Sequence, residues 1–207
     1  MNKFLPVVCI VLNLVCFSAL AQTGKGKKDI AVIADYAGNP NRLDSFVVEK
    51  LTHLIFCFGH LKGNRLDIGS ARDSATIRKM VGLKSRNPGL KIILSLGGWG
   101  GCQTCSPVFT TAAGRKEFAK SVKEINDYFG TDGVDLDWEY PAIEGHPGHP
   151  FTPEDKPAFT KLVKRLRKEL GKKHEISFAA GGFTSFIDSS IEWKKVMKKV
   201  DRVNLMS

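Results

Sequence analysis

The chain has 207 residues and a formal net charge of +10, with 31 lysines and arginines against 21 aspartates and glutamates. Such a surplus can mark a nucleic-acid or membrane partner, but here the basic residues fall on predicted helix faces and alternate with aliphatic residues, as in KLVKRLRKELGKK and WKKVMKKV. We therefore expect no nucleic-acid partner.

The first 21 residues have the pattern of a secretory signal peptide. Lys3 precedes the apolar run FLPVVCIVLNLVCFSAL, and the small residues of ALAQ precede an expected cut after Ala21. The run is shorter than about 20 residues and contains Asn13, which disfavours a membrane anchor. We expect residues 1–21 to be removed, residues 22–28 to form a basic linker, and the mature protein to be extracellular or periplasmic, without stable membrane association.

Three of the five cysteines, Cys57, Cys102 and Cys105, lie beyond the predicted signal peptide. Export permits a disulfide, and the CQTC spacing fits a short loop disulfide and two free thiols equally well. There is no second cysteine pair, so we expect no tetrahedral zinc site. Cys57 lies within LTHLIFCFG and is expected to be a small buried apolar residue.

Six short segments are predicted to be buried strands, with helical patterns between them. The strands are DIAVIADYAG from 29, LTHLIFCFG from 51, LKIILSLGGW from 90, GVDLDWEY from 133, EISFAAGGF from 175 and RVNLMS from 202. The helical patterns lie in ATIRKMVGLKSRNPG, which Pro88 and Gly89 interrupt, in the segment that ends at Gly130, and in the segment from TPED to Gly171. In the last, Thr152 is expected to cap the helix and Pro153 to lie in its first turn.

Alternation of apolar strands with helices predicts a parallel sheet covered on both faces, either open and doubly wound or closed as a barrel. DYAGNP follows the first strand where a dinucleotide-binding protein would have GxGxxG, which weakens the doubly wound alternative. In both architectures the functional residues lie at the carboxyl ends of the strands.

The segment TDGVDLDWEYP, residues 131–141, carries four carboxylates in what otherwise resembles a buried strand. Alternation along a strand would place Asp135, Asp137 and Glu139 on one face, with Glu139 nearest the open end, and Trp138 in the core behind them. Crowded carboxylates favour a shared proton, and a protonated carboxyl can act as a general acid. A row on one strand does not surround an ion, so we expect no metal.

These residues resemble glycoside hydrolase family 18, the chitinases and their relatives, in their bacterial form. DGVDLDWEYP is similar to the family's DxxDxDxE signature, and SLGGW at 95–99 is similar to its SxGG motif on the third barrel strand. The resemblance extends from about Ile30 to Ser207. It implies a (β/α)8 TIM barrel, of which about six βα units are present in residues 29–207.

Carried over to this sequence, the resemblance makes Glu139 the acid that protonates the glycosidic oxygen. Asp137 would hold the substrate's N-acetyl group, Asp135 would share its proton, and Asp132 would be structural, as would Ser95 and Gly97 of the second motif. The nucleophile in the family is the substrate's own acetamido oxygen, so the resemblance implies retention of configuration and no metal or organic cofactor.

Further residues match positions that the family uses around the bound sugar. They are Tyr36, Phe58, Gly98, Trp99, Tyr140 and Met206. Phe58 fits a plain core residue equally well. His146 and His149 of GHPGHP are expected to lie in a loop at the mouth of the site, whereas His53, His60 and His174 form no recognisable constellation.

The resemblance implies a secreted chitinase that binds chitin or N-acetylglucosamine oligomers and is a monomer when complete. Two alternatives remain: an endo-β-N-acetylglucosaminidase acting on N-glycans, and a noncatalytic chitinase-like sugar-binding protein. Removing 21 of 207 residues leaves 186, whereas a (β/α)8 barrel has about 250 residues. We therefore expect these residues to be the amino-terminal portion of a longer protein, insoluble or inactive when expressed alone because two sheet edges lack partners.

Overall fold

A computed structural model describes residues 31–206, and the predicted signal peptide and basic linker lie outside them. The strands are Ile33–Tyr36 (β1), His53–Lys62 (β2), Arg65–Asp67 (β3), Lys91–Gly97 (β4), Gly133–Asp137 (β5), Glu175–Gly181 (β6) and Arg202–Met206 (β7). The α-helices are Ala71–Gly82 (α1), Cys105–Phe109 (α2), Ala112–Phe129 (α3), Asp155–Leu170 (α4) and Trp193–Val196 (α5). A π-helix covers Phe186–Ser190.

The six parallel strands are neighbours in the order β1-β2-β4-β5-β6-β7, which is also their order along the chain. A doubly wound sheet reverses its strand order at a switch point, and this sheet does not. It is also strongly curled. β2 and β7 are four strands apart, about 19 Å in a flat sheet, yet Arg202 Nη1 lies 2.7 Å from His53 Nε2. The sheet is therefore a half-barrel.

The sequence did not predict β3, which pairs with β2 as an antiparallel hairpin. Gly63 takes a left-handed conformation, with φ of 60°, in the turn between the two strands, and a Gly-Asn pair there is a recognised hairpin signal. Leu66 of β3 packs into the core, and its backbone N–H donates to Ser121 Oγ on α3 at 2.8 Å.

The predicted helix ends are largely confirmed. Gly130 ends α3 in the left-handed conformation, with φ of 75°, and Gly171 ends α4. The start of α4 is different from the prediction, because Thr152 does not cap it and its Oγ1 has no partner among the described residues. Instead the buried Asp155 carboxylate accepts from the backbone N–H of Thr152 at 2.9 Å and from Ser106 Oγ at 2.7 Å, which ties α4 to α2.

The outer face of the sheet is apolar and packs under the helices in two clusters. One cluster joins β4, β5 and β6 to α3 and α4, and it includes Trp138, which is 2% exposed as its predicted core position requires. The other joins β1, β2 and β4 to α1. Polar side chains therefore concentrate on the inner face, in the lumen of the half-barrel. Within residues 31–206, the helices are too short or too polar to cross a membrane.

Candidate active site

Asp135 lies in the lumen midway along β5 and is almost fully enclosed. Its carboxylate accepts hydrogen bonds from Ser95 Oγ at 2.9 Å, Ser177 Oγ at 2.6 Å and Asn204 Nδ2 at 2.9 Å. Burial raises the pKa of Asp135, although the two serine hydroxyls oppose that effect. Strands β4, β6 and β7 thus each supply a donor that fixes this carboxylate in place.

Asp137 follows on the same face of β5, one step closer to the open end. It is 9% exposed, and its Oδ1 is buried without a hydrogen-bond partner among the described residues. Burial raises the pKa of Asp137 to about 8, and the charges of Glu139, Asp135 and Asp35 add to the effect. Its environment therefore favours the protonated form of the Asp137 carboxyl.

Glu139 lies beyond the end of the strand, and this corrects the prediction of a single row on one strand face. β5 ends at Asp137, and Glu139 has φ of 60°, a left-handed conformation that is uncommon for a side chain of this type. The backbone N–H of Tyr140 donates to Trp138 O at 2.7 Å across this turn. The carboxyl is half-buried, and burial raises its pKa. Backbone strain at such a position is typical of functional sites.

The two glycines after β4 make room for the acids. A Cβ on Gly97 would lie 2.4 Å from Asp137 O, and a Cβ on Gly98 would lie 2.8 Å from the Phe58 ring. Both residues also have positive φ, of 110° and 80°. Glycine is therefore required for β4 to approach the end of β5 this closely, and Gly98 N donates to Asp137 O at 3.0 Å.

Trp99 is the exposed aromatic side chain at the open end, with 55% of its surface accessible. Its ring makes edge contacts with Tyr140 and His146, each with centroids 5.7 Å apart. Tyr140 was predicted to line the sugar site, but it is 2% exposed and instead donates from its hydroxyl to Trp99 O at 3.0 Å. His149 Nδ1 contacts the same hydroxyl. The loop that contains His146 and His149 thus packs against Trp99 and Tyr140. It lies at the open end of the lumen, where this loop was expected.

A disulfide joins Cys102 and Cys105 and resolves the alternatives left open by the sequence. Their Cα atoms are 5.1 Å apart, and both residues are buried. The bridge closes the turn that leads from the Trp99 segment into the start of α2.

A cavity opens over the acids. It is lined by Asp35, Cys57, Phe58, Ser95, Asp135, Asp137, Ala179, Asn204 and Met206. Phe58 and Met206 thus border the cavity, and their contact with a sugar stays a prediction. Tyr36 does not border the cavity, because it points outward into the α1 cluster, where its ring lies 5.3 Å from that of Phe46. Cys57 is half-buried in the cavity rather than in an apolar core, and burial raises its thiol pKa to about 12.

The amino-terminal end of the lumen holds an ion-pair network that sequence reasoning missed. Glu175 accepts from Lys91, from Arg202 and from His53 Nε2, the last at 3.1 Å. His53 therefore belongs to a constellation, contrary to the prediction. Burial alone would raise the pKa of Glu175, but the three donors outweigh it and hold the pKa well below its usual range.

Asp132, for which a structural role was predicted, lies at the same amino-terminal end of the lumen. Its Oδ2 accepts from the backbone N–H of Ile92 at 2.7 Å and pairs with Lys84 Nζ at 2.6 Å. These contacts bind β5 to β4 and to the segment after α1. Among the described residues, no group of three or more His, Cys, Asp or Glu side chains has the arrangement of a metal site.

Comparison with known proteins shows which proteins the chain is similar to. Residues 13–207 match the family model described as glycosyl hydrolases family 18. The chain is 37% identical to chitinase A1 of Niallia circulans over 141 residues. The aligned region covers 65% of this chain and 20% of that protein.

Two solved structures are similar over most of the chain. The family 18 N-acetylglucosaminidase from Paenibacillus barengoltzii gives a TM-score of 0.75 at 32% identity, covering 86% of this chain and 53% of that one. The chitinase domain of the spore coat protein CotE from Clostridium difficile gives 0.79 at 30% identity, covering 97% and 53%. The chain thus spans about half the length of these two structures. The predicted partial TIM barrel is confirmed.

Proposed function

The chain belongs to family 18 of the glycosyl hydrolases, and from this membership we propose that it is the catalytic part of a secreted chitinase. In this proposal it cleaves β-1,4 linkages between N-acetylglucosamine units with retention of configuration. The observation that carries the proposal is the series of three carboxyls, Asp135 and Asp137 on the lumen face of β5 and Glu139 just beyond its carboxyl end, on the open side of the lumen where Trp99 is exposed.

Glu139 is the proposed general acid. It lies beyond the strand end at the open side of the site, where it can meet a glycosidic oxygen, and burial raises its pKa so that it stays protonated to higher pH than an exposed glutamate. Proton delivery to the leaving oxygen is the step that an acid in this position can perform.

Asp137 is the proposed partner of the acetamido group rather than a nucleophile. A carboxyl with a pKa of about 8 is largely neutral at pH 7 and therefore attacks an anomeric carbon poorly. Its unpartnered Oδ1 is free to hydrogen-bond the N-acetyl group and orient its oxygen for attack. This supports substrate assistance, in which the acetamido oxygen displaces the leaving group and forms an oxazolinium ion.

Asp135 supports the positive charge that develops next. Three neutral groups donate hydrogen bonds to its carboxylate. The residue is 4% exposed and precedes Asp137 on the lumen face of β5. It can take up the proton of Asp137 when Asp137 ionises against the oxazolinium ion. A fixed carboxylate in a partly dry site stabilises such a cation more than water does.

Substrate binding is assigned to the open end of the lumen. The exposed Trp99 ring offers a flat apolar surface to a sugar face, and Phe58 and Met206 border the cavity beneath it. Chitin or its oligomers are the proposed ligands.

Secretion is part of the same proposal. It rests on the signal-peptide pattern of residues 1–21, and the Cys102–Cys105 disulfide supports an oxidising compartment.

A second candidate is an N-acetylglucosaminidase that acts on shorter or N-linked glycans, favoured by the 32% identical Paenibacillus structure of that name. A noncatalytic sugar-binding role is the third, and the presence of Glu139 counts against it. All three predict binding of N-acetylglucosamine oligomers, so binding alone does not separate them.

The test is turnover of defined N-acetylglucosamine oligomers by the full natural protein, with product anomers followed by NMR. A chitinase releases products of retained β configuration from the oligomers and does not cut fully deacetylated chitosan. Release from N-glycans alone would support the second candidate. Tight binding without turnover would support the third, and products of inverted configuration would exclude substrate assistance.

A further inference from the structure

Asp35 is an acidic residue of the lumen that the sequence motifs did not identify. It lies on β1 in register with Ile55 of β2, and strand alternation turns it inward while Tyr36 turns outward. It lines the cavity that Asp135 and Asp137 line. The cavity therefore has acids on two separate strands, and the β1 acid has no assigned role.

The groups that face Asp35 leave its charge largely unneutralised. β2 presents the neutral Cys57 thiol and Phe58, β4 presents the Ser95 hydroxyl, and β5 presents Asp135 and Asp137. Glu139 does not line the cavity, but its charge acts on Asp137. Among the described residues, no lysine or arginine lines this cavity.

The nearest cation of the lumen is already engaged. Arg202 of β7 makes ion-paired contact with Glu175 and lies beside His53 at the amino-terminal end. Its charge stabilises ionised Asp135 to some degree. The two β7 residues that line the cavity, Asn204 and Met206, are neutral, so β7 contributes no charge to the lining.

Asp35 and Asp137 are in unequal positions to hold a negative charge. Asp35 is the more exposed of the two, although partial burial of its carboxyl raises its own pKa as well, whereas Asp137 is 9% exposed with one oxygen unpartnered. Hydration makes the ionised form less costly at Asp35. When the cavity acids share few protons, the charge therefore settles on Asp35 and the proton on Asp137.

We propose that Asp35 is a positioning residue of the acidic site, whose negative charge holds a proton on Asp137. The consequence for the reaction rests on the proposed function, in which Asp137 is the partner of the acetamido group and is neutral before the reaction begins. The effect of the Asp35 charge on the other acids does not depend on that function, because all three carboxyls line one cavity.

The Cys57 thiol provides a reporter that needs no activity. It is a free cysteine in the same cavity, and the charge of Asp35 adds to burial in raising its pKa. Alkylation requires the thiolate, so its rate below pH 12 measures that pKa. The charge of Asp137 also raises the pKa of this thiol, so the comparison is made above pH 9, where Asp137, with a pKa of about 8, is ionised in both proteins. There, replacing Asp35 by Asn removes one charge at nearly constant shape and should accelerate alkylation.

The experiment measures iodoacetamide labelling of Cys57 at pH 9 to 10 by mass spectrometry, in the full mature protein, which lacks Cys9 and Cys16 after removal of the predicted signal peptide. We expect about two- to fivefold faster labelling in Asp35→Asn, because each tenfold gain in thiolate is partly offset by lower nucleophilicity. Asp35→Glu keeps the charge and should restore the wild-type rate. Asp188→Asn removes an exposed carboxylate of the outer π-helix and should change nothing.

Unchanged or slower labelling in folded Asp35→Asn, or equal acceleration in Asp35→Glu, would overturn the proposal. If Asp35→Asn does not fold, Asp35→Ser at the same exposed edge position carries the same test. In active protein, the basic limb of the kcat/KM profile should move about 0.5 to 1 pH unit lower in Asp35→Asn. Absence of turnover in the wild type would refute the proposed function and leave the labelling result interpretable.

Discussion

The two ends of the lumen handle buried charge in opposite ways. At the amino-terminal end, Glu175 is surrounded by three donors from Lys91, Arg202 and His53. At the carboxyl-terminal end, the carboxylates of Asp135 and Asp137 lie close together and no lysine or arginine lines their cavity, within the described part of the chain. One end is nearly neutral and the other is strongly acidic.

This difference separates stability from function. Paired charges hold the pKa of Glu175 down, so its ionised form favours the folded state. Burial and, after it, the neighbouring carboxylates raise the pKa of Asp137 to about 8, so its ionised form opposes folding. A protein keeps such an arrangement where an acid must stay protonated for chemistry. The amino-terminal end should therefore respond to mutation in stability and the carboxyl-terminal end in turnover.

Replacing Glu139 by Gln should give the largest effect. The amide preserves shape but cannot deliver a proton, so kcat should fall about 10²- to 10⁴-fold. The melting temperature and the affinity for N-acetylglucosamine oligomers should change little. The measurement is kcat on oligomers together with binding calorimetry, in the full natural protein. Turnover within tenfold of wild type would contradict the assignment of Glu139 as the acid.

Replacing Glu175 by Gln tests the opposite end. The change leaves the half-buried Arg202 and its neighbour His53 without their carboxylate, and the free energy of unfolding should fall by about 3 kcal/mol. Urea unfolding at pH 7 measures it. Lys79→Gln, which breaks the exposed pair with Asp44, is the matched control and should cost less than about 1 kcal/mol.

The pH dependence of that difference has a definite sign. The pKa of Glu175 is depressed on folding, so its stabilisation is fully present above the unfolded value of about 4.3 and is lost as the pH falls below it. The gap between wild type and Glu175→Gln should therefore shrink below pH about 4. A constant gap would mean that packing, rather than charge, accounts for the loss.

Asp137→Asn should show the reverse pH dependence. The folded state keeps a proton on Asp137 that the unfolded state has released above pH about 4, so wild-type stability falls as the pH rises toward about 8. The variant lacks this titration and should gain on the order of 3 kcal/mol relative to wild type between pH 5 and pH 8. Parallel stability curves for the two proteins would show that Asp137 is not protonated in the folded state.

The sequence predicted the repeating framework well because local rules set it. Apolar strands, glycine helix ends at Gly130 and Gly171, and the alternation that turns Trp138 into the core all follow from local pattern. The choice between a barrel and a doubly wound sheet depends on the order of the strands in space. No single segment of the sequence determines that order.

The site was predictable where one segment carries it and not where several strands meet. Asp135 and Asp137 share a strand face as alternation requires, but Glu139 turns out of the strand through a left-handed backbone that no pattern signalled. Asp35 and His53 acquire their roles through partners more than 100 residues away. The inward parity of β1 and β2 could have marked both residues once a barrel was assumed.

Trp99→Ala should give the smallest effect and tests whether the open end also binds. The ring is 55% exposed and is braced by Tyr140 and His146, so its loss removes a sugar platform and little core packing. We expect affinity for N-acetylglucosamine oligomers to fall about tenfold, or about 1.4 kcal/mol, with unfolding unchanged. Tyr128, an aromatic 70% exposed on α3 outside the lumen, provides the control, because Tyr128→Ala removes similar surface where no sugar is expected. Equal losses in the two variants would show that Trp99 contributes only general surface adhesion, and the open end of the lumen would then be a site of catalysis without a binding platform of its own.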